Sequence, residues 1–245
     1  MSSDHDRDEH RTAGQLLNEA VAMQAFERGD AIARHLPLEV HMQVASGCNL
    51  DCYMCYEHLR PPGTRRGRGL QELSPALFEK IVAEVMPYSQ RTSFGIGGEP
   101  MLAPHFLEYV RRAHALNQKV HVLTNGTRIH TEEVAQTLAT CLSSLEISID
   151  GATAETYERI REGASFSRVT SNVELFNRAR LARPEEERPR LTLCMTMMRS
   201  NVHELPLMVE LAARLQVDGL AAWHVIPVTE EGRAGAVPVA FAGPF

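Results

Sequence analysis

The chain has 245 residues, of which 44% are hydrophobic and 23% are charged, and its formal net charge is −6. This length and composition are typical of a globular protein with one sizeable core or two small ones. The negative balance and the lack of a long basic run disfavour nucleic acid as a partner, and no run of about 20 apolar residues predicts a membrane span.

The N-terminal region is polar at first and then helical. Residues 1–11 are rich in charged side chains and lack the apolar core of a secretory signal, so we expect a cytoplasmic location. Residues 12–34 carry apolar side chains at helical spacing with charges between them, which predicts a helix. The chain therefore begins with a polar tail and a helical extension.

After this helix the sequence alternates between short strands and helices. Six short apolar runs bounded by turn residues predict strands, and strands that alternate with helices predict βαβ units, a parallel sheet and the α/β class. Six such units in one pass favour a partial (β/α)6 TIM-like barrel over a doubly wound sheet. The strands are predicted at residues 38–45, 91–97, 118–124, 143–149, 190–198 and 219–226.

Capping residues mark the starts of three of the helices between the strands. Ser74 followed by Pro75 provides an N-cap and a proline in the first turn. Thr131 precedes two glutamates, which suit the positive end of the helix dipole. Asn201 with Glu204 resembles a capping box.

One side-chain phase of several predicted strands is polar. Successive side chains of a strand point to opposite faces, so one assignment places all these groups on the inner surface of the barrel. Burying so many polar groups costs free energy unless they pair with one another or bind a ligand. We interpret the inner surface as a ligand cavity, with a closed hydrogen-bonded core as the alternative. The polar set comprises His41, Gln43, His121, Asn125, Glu146, Ser148, Asp150, Thr192, Cys194, Thr196 and His224.

Three of the five cysteines lie together directly after the first predicted strand. Cys48, Cys52 and Cys55 have the spacing C-x3-C-x2-C, at the C-terminal end of a strand, where β/α-barrel enzymes keep their active sites. A [4Fe–4S] cluster normally takes four cysteines, so three would leave one iron with an open position. An open position is also what separates catalytic zinc sites from structural ones.

A zinc site is the alternative interpretation of this loop, with His58, Cys141 or Cys194 as a further ligand. The spacing alone leaves that alternative open. Cys141 and Cys194 belong to no motif, and isolated cysteines often pack as small buried hydrophobic residues.

With its other motifs, the sequence resembles the radical SAM superfamily from about residue 38 to residue 227. Gly97-Gly98-Glu99-Pro100 follows the second predicted strand, Thr124-Asn125-Gly126-Thr127 the third, and Ser148-Ile149-Asp150-Gly151 the fourth. The combination is similar to the branch that often carries a SPASM domain, which includes peptide and sulfatase maturases. The molybdenum-cofactor cyclases are close relatives of that branch.

The resemblance implies an enzyme with two cofactors, a [4Fe–4S] cluster on the three cysteines and S-adenosylmethionine (SAM). Reductive cleavage of SAM would give a 5′-deoxyadenosyl radical, which abstracts hydrogen from a peptide or small-molecule substrate. A reductant such as flavodoxin or ferredoxin would supply the electron. Two alternatives are a non-catalytic iron–sulfur electron carrier or binding subunit and a truncated, inactive remnant of a maturase.

The resemblance also implies roles for residues on the second and fourth strands. Glu99 would accept a hydrogen bond from the SAM amino group, with close backbone approach at Gly97 and Gly98. Ser148 would hold the ribose or the carboxylate of SAM. Asp150 shares the face of Ser148, or alternatively caps the next helix.

Further residues match positions that face ligand in the family. Met54 stands before the third cysteine, where an aromatic side chain is frequent near adenine, and a thioether also packs well on aromatic rings. Thr124 and Asn125 match a third-strand position that faces ligand or substrate, with a simple turn as the alternative. Ile226 would contact adenine from the sixth strand. Four arginines between the cysteine loop and the next helix would either bind an anionic substrate near the mouth of the barrel or lie in a solvated loop. They are Arg60, Arg65, Arg66 and Arg68.

These motifs define the expected domains. We assign residues 1–36 to the tail and helix, 37–228 to the barrel and 229–245 to a short C-terminal tail. The SPASM branch continues into a cysteine-rich region, whereas no cysteine follows Cys194 in this sequence. We therefore expect no SPASM domain in this chain.

Overall fold

The computed structural model describes residues 11–56 and 70–226. Within them, six parallel strands form one sheet in the order β1-β2-β3-β4-β5-β6. Each strand pairs with the strand that precedes it in the chain, across a crossover that contains helix. The strands are β1 Glu39–Met42, β2 Arg91–Phe94, β3 Lys119–Thr124, β4 Ser144–Ser148, β5 Arg190–Met197 and β6 Gly219–His224.

Seven α-helices accompany the sheet in the part of the chain that the structure describes. The first precedes β1, and the other six lie in the crossovers. None of these helices is long and apolar enough to cross a membrane. The helices are α1 Ala13–Arg28, α2 Pro75–Glu84, α3 Phe106–Ala115, α4 Glu132–Cys141, α5 Ala154–Ile160, α6 Phe166–Leu181 and α7 Leu205–Arg214.

The two faces of the sheet differ in polarity. Val122, Ile147 and Leu193 belong to the apolar phase and are fully buried in one core with residues of the helices, such as Leu138 and Phe176. The opposite phase is polar, as in β4, where three polar side chains alternate with buried leucine and isoleucine. The predicted α/β class and open partial barrel are confirmed.

The predicted N-terminal helix is shorter in the structure than residues 12–34. It ends at Arg28 because Gly29 adopts a left-handed conformation with φ 67° and its N–H closes the last turn. Glycine favours this position because it has no Cβ to strain. Buried Gln15 fixes α1 to the barrel by donating to the Ser89 carbonyl at 2.8 Å.

Two of the three predicted helix caps are confirmed. The Ser74 hydroxyl accepts a hydrogen bond from the Leu77 N–H at the start of α2. The Thr131 hydroxyl accepts one from the Val134 N–H at the start of α4.

The predicted capping box of Asn201 and Glu204 is wrong. Asn201 begins a short 3-10 helix but makes no side-chain cap bond. Its amide donates instead to the carbonyls of Asp150 and Thr196, while Glu204 accepts from the turn before α5. Both side chains find partners on neighbouring segments, and these compete with the local cap.

Candidate functional site

A cavity of about 250 Å³ lies at the mouth of the barrel, where the strands end. Nine of the eleven predicted site residues border it, and Gly97 and Asp150 do not. The structure thus brings together residues that lie at or just after the C-terminal ends of four different strands. The nine are Cys48, Cys52, Met54, Cys55, Gly98, Glu99, Thr124, Asn125 and Ser148.

The loop that carries the three cysteines, residues 46–56, is held from two sides. The Asp51 N–H donates to the Glu162 carbonyl at 2.9 Å, and the Glu99 N–H donates to the Gly47 carbonyl at 2.8 Å. The loop is therefore hydrogen-bonded to the segment after β2 on one side and to the segment after α5 on the other. Its apolar side chains Leu50, Cys52 and Met54 pack against Ile160, Met198 and Val225.

Gly97 and Gly98 both have positive φ, at 72° and 64°. A Cβ at Gly98 would lie 2.5 Å from the Ala45 carbonyl oxygen and 2.7 Å from that of Gly47. The sequence predicted that Gly98 lets a ligand approach the backbone closely. In the structure, the backbone of the cysteine loop also approaches Gly98 closely. A larger residue here would push that loop away.

The three thiols of the loop line one cavity. Cys48, Cys52 and Cys55 all border it, and within the described ranges no three His, Cys, Asp or Glu side chains converge on one point. Burial raises the pKa of Cys48 to about 11 and that of Cys52 to about 12, and a bound metal offsets this cost of forming thiolates.

The Glu99 carboxylate is buried and organises the end of β3. It accepts hydrogen bonds from the Thr124 hydroxyl at 2.6 Å, the Asn125 N–H at 2.7 Å and the Met101 N–H at 3.1 Å. Burial raises the pKa of Glu99, and these hydrogen bonds oppose the rise. The turn after β3 is therefore fixed by a residue from the segment after β2.

Ser148 and Asp150 lie on the same strand end but make different contacts. Ser148 borders the cavity. Asp150 is fully buried, accepts a hydrogen bond from the Thr196 N–H at 2.6 Å and pairs with Arg161 at 2.8 Å. The next helix, α5, is capped by Thr153 and not by Asp150. The observed partners of Asp150 are therefore protein groups.

Arg161 borders the cavity and was missed by the sequence analysis. Burial lowers the pKa of its guanidinium, but the Asp150 carboxylate and other neighbouring groups together raise it by more, so the net shift is upward and the side chain is a cation. No sequence signal marks it, because an arginine near a helix end looks the same whether it faces solvent or a cavity. Only the packing of α5 beneath the cysteine loop reveals its position.

The other sequence candidates lie elsewhere. Cys141 is buried in the main core, and the Cys194 thiol, also buried, donates to Glu146 at 3.2 Å. Ile226, predicted to contact adenine, does not border the cavity at the mouth and is 77% exposed, while its neighbour Val225 packs beside Met54. His58 and the four arginines from Arg60 to Arg68 lie outside the described residues.

A second cavity, of about 760 Å³, lies at the opposite end of the strands on the same face of the sheet. His41, His121 and Glu146 border it. Together with Ser148 and Thr196 at the mouth, they confirm that much of the polar phase lines cavities rather than a closed core. The rim of the second cavity is formed by the first residues of five strands, Glu39, Arg91, Lys119, Ser144 and Arg190.

An open parallel β/α barrel with three thiols around a cavity at its mouth has the architecture of a radical SAM core. The sequence model of the radical SAM superfamily matches residues 42–212. The chain therefore belongs to the radical SAM superfamily.

Among curated relatives, the AdoMet-dependent heme synthase of Methanosarcina barkeri is 27% identical over 203 residues, which cover 80% of this chain and 52% of the relative. Mycofactocin maturase MftC of Mycobacterium ulcerans is 33% identical over 155 residues, which cover 62% of this chain and 38% of the relative. The chain spans about half the length of the curated relatives it matches, or less. The maturases among them agree with the branch that the motifs resemble.

Among solved structures, SuiB of Streptococcus suis bound to S-adenosylmethionine matches with a TM-score of 0.65 at 16% identity. The match covers 86% of this chain and 45% of that chain. SuiB bound to its precursor peptide SuiA matches with a TM-score of 0.64, also at 16% identity, over 94% of this chain and 48% of that chain. At this identity the likeness establishes the shared fold.

Proposed function

We propose that the protein is a radical SAM enzyme in which Cys48, Cys52 and Cys55 hold a [4Fe–4S] cluster and SAM occupies the adjoining cavity. When bound, the cluster and SAM together supply a 5′-deoxyadenosyl radical that abstracts hydrogen from a peptide or small molecule. The observation that supports the proposal is the convergence of three thiols on the cavity that also holds Glu99 and Ser148. A cytoplasmic reductant such as ferredoxin or flavodoxin would supply the electron to the cluster.

The charges around the cavity suit the methionine part of SAM, which carries an ammonium and a carboxylate. The Arg161 guanidinium and the Ser148 hydroxyl supply donors for the carboxylate. Glu99 accepts three hydrogen bonds, and because a carboxylate has about four acceptor sites, one is left for the ammonium. Met54 offers a polarizable surface for adenine.

The second cavity supports a polar substrate in the barrel lumen. Glu146 borders this cavity and Ser148 borders the first. Two residues along a strand span about 7 Å, so a substrate bound in the second cavity would have to extend past Glu146 to bring a C–H group into contact with a radical formed beside Ser148. Carboxylates, arginines and histidines share the lining, which suits a substrate with charges of both signs. A peptide segment meets this requirement, and SuiB and MftC supply the precedent of a precursor peptide and a maturase.

The iron content of cysteine variants tests the proposal. Anaerobically reconstituted protein should be brown and hold about four irons per chain. Cys48→Ala, Cys52→Ala and Cys55→Ala each remove one ligand and should abolish the cluster. Iron, acid-labile sulfide and the visible absorption spectrum provide the measurement.

Cys141→Ala and Cys194→Ala are the matched controls, because both thiols are buried but neither borders the cavity at the mouth. Both variants should keep the parent iron content. A colourless parent protein that holds stoichiometric zinc would contradict the cluster assignment.

A further inference from the structure

The Cys48 sulfur has two hydrogen-bond donors. The Leu50 N–H lies 3.4 Å from Cys48 Sγ, and the Asn125 side-chain Nδ2 lies 3.6 Å from the same atom. Sulfur is larger than oxygen, so these distances are those of hydrogen bonds. The first donor belongs to the loop itself, whereas the second comes from the turn after β3.

The orientation of the Asn125 amide is fixed by its neighbours. Its Oδ1 accepts hydrogen bonds from the Thr127 N–H at 3.0 Å and the Thr127 hydroxyl at 2.7 Å. Because the backbone N–H can only donate, the oxygen must face Thr127. The NH2 group then faces the cysteine loop.

A third side chain closes the network. Asn125 Nδ2 also donates to Asn49 Oδ1 at 2.9 Å, and Asn49 Nδ2 donates to Thr127 Oγ1 at 2.9 Å. Asn125 is 5% exposed, so water competes little for its amide. Each of the three side chains therefore holds the next, and the donor to Cys48 is preorganised.

We propose that the Asn125 amide stabilises the Cys48 thiolate of the bound cluster and thereby raises the reduction potential of that cluster. Reduction adds one negative charge to the cluster and its thiolates. A donor aimed at a ligand sulfur stabilises the more negative form more strongly, above all in a site of low dielectric constant. Asn125 is thus a tuning residue for the electron transfer that precedes SAM cleavage, and this role rests on the proposed function.

Two variants of Asn125 test the role through the midpoint potential. Asn125→Ala removes the donor and should make one-electron reduction about tenfold less favourable, which is about 59 mV. Asn125→Asp keeps the oxygens that accept from Thr127 but replaces the donor with a negative charge, so its potential should be lower still. The measurement is an EPR-monitored redox titration of protein with verified iron content.

Asn172→Ala is the matched control. Asn172 is also a buried amide, and it donates to the Gly126 carbonyl at 2.8 Å, so its loss disturbs the same turn without removing a donor to sulfur. Its midpoint potential should equal that of the parent. If Asn125→Ala shows the parent potential, or if Asn172→Ala shows an equal drop, the tuning role is wrong.

A measurement on the parent protein makes the inference independent of the stability of these variants. Protein labelled with asparagine that carries 15N only in the side-chain amide should show, in pulsed EPR of the reduced cluster, a weak coupling to this nitrogen. The label leaves out the backbone nitrogen of Asn49, and the side-chain nitrogen of Asn49 donates to Thr127 and not to the sulfur. Absence of the coupling in a loaded cluster overturns the inference but leaves the proposed function intact. A parent protein that assembles no iron–sulfur cluster overturns both.

Discussion

At the scale of single residues, Ser148 and Asp150 lie two residues apart at the end of β4 but make different contacts. Ser148 borders the cavity at the mouth. Asp150 is buried beneath it and neutralises Arg161, whose side chain reaches the same cavity. Ser148 would therefore act on SAM directly, while Asp150 would act through the position of Arg161.

Substitution of these two residues should separate SAM binding from stability. Ser148→Ala removes one polar contact and should weaken SAM binding by about 1–3 kcal/mol, or roughly 5- to 150-fold in Kd, with little change in Tm. Asp150→Asn leaves the Arg161 charge buried without its partner and should cost about 3–5 kcal/mol of stability. Equilibrium dialysis of SAM and thermal unfolding provide the two measurements.

Each variant is a control for the other. Ser148→Ala should change SAM binding more than Tm, and Asp150→Asn should change Tm more than SAM binding. A Ser148→Ala variant that binds SAM as tightly as the parent would contradict the role given to this hydroxyl. A Tm for Asp150→Asn equal to that of the parent would show that the ion pair does not stabilise the fold.

Single residues differ in how well the sequence predicts them. Cys48, Cys52 and Cys55 are recognised because their spacing within one loop is itself the signal. Arg161 is not, because its contact with the cavity depends on how α5 packs under that loop. Local spacing predicts functional residues, whereas tertiary contacts between segments far apart in the chain require the structure.

At the scale of secondary structure elements, Glu204 joins two crossovers. Its carboxylate accepts hydrogen bonds from the Ala152 N–H at 2.7 Å, the Thr153 N–H at 3.2 Å and the Thr153 hydroxyl at 2.8 Å. Ala152 and Thr153 form the turn between β4 and α5, whereas Glu204 directly precedes α7. This carboxylate therefore fixes the start of the helix that leads to Arg161.

The pKa of Glu204 gives this contact a pH dependence. Burial raises the pKa, but hydrogen bonds from the Thr156 and Thr153 side chains and from the backbone lower it, and the net shift is downward. A carboxyl whose folded pKa lies below its unfolded value stabilises the protein above the unfolded pKa, about 4.3 for glutamate. The stabilisation is lost as the pH falls through the folded pKa.

Glu204→Gln should therefore destabilise the protein in a pH-dependent way. At neutral pH the variant should lose about 1.5–3 kcal/mol, because a charged acceptor of backbone N–H groups is removed. The difference from the parent should shrink as the pH is lowered through the acid range. Urea unfolding at a series of pH values provides the measurement.

Glu79→Gln is the control for this series. Glu79 is exposed and pairs with Arg112 at 2.9 Å on the surface, where solvent screens the interaction. Its substitution should leave the unfolding midpoint unchanged within error. A Glu204→Gln variant as stable as the parent at neutral pH would contradict the role of this carboxylate.

Elements were predicted well where local chemistry dominates. All six strands were placed from short apolar runs, and the caps Ser74 and Thr131 hold as predicted. The helix after Asn201 is present as α7, but its predicted capping box is wrong because Glu204 accepts hydrogen bonds from the turn before α5 instead of capping its own helix. The end of α1 was missed because the predicted pattern continued past Gly29, whose left-handed backbone stops the helix.

At the scale of the whole molecule, two cavities share one concave face of the sheet. The cavity at the mouth holds the cysteines, and the larger one lies at the N-terminal ends of the strands. The alternation of strands and helices predicted the barrel, and the polar phase predicted that its inner surface binds a ligand. The division into two cavities depends on the side chains of several strands at once, which no single segment encodes.

Uncoupled turnover tests whether the whole chain is a catalyst. The motifs assigned to the cluster and SAM lie before residue 152, Arg161 follows them, and the described part of the chain holds six strands. Dithionite-reduced protein should therefore convert SAM slowly to 5′-deoxyadenosine and methionine without added substrate. Dithionite supplies the electron, and a C–H or S–H bond of the buffer or the protein, which an open cavity leaves accessible, supplies the hydrogen atom. Chromatography of the products provides the measurement.

An unreduced sample and the Cys52→Ala variant serve as controls, and neither should form 5′-deoxyadenosine. If the parent has a fully loaded and reduced cluster and binds SAM, yet forms no 5′-deoxyadenosine, it is not a SAM-cleaving enzyme. An electron carrier or an inactive remnant would then be the better description.

The strand order also has a consequence for how the chain folds during its synthesis. Because β2 pairs with β1, β3 with β2, and so on to β6, each new strand finds its partner already made. Translation adds about 5–20 residues per second, whereas loops close and helices form in microseconds or less. The half-barrel can therefore grow from its N-terminal edge one strand at a time, and no strand after the first has to wait on the ribosome for a partner still to be translated.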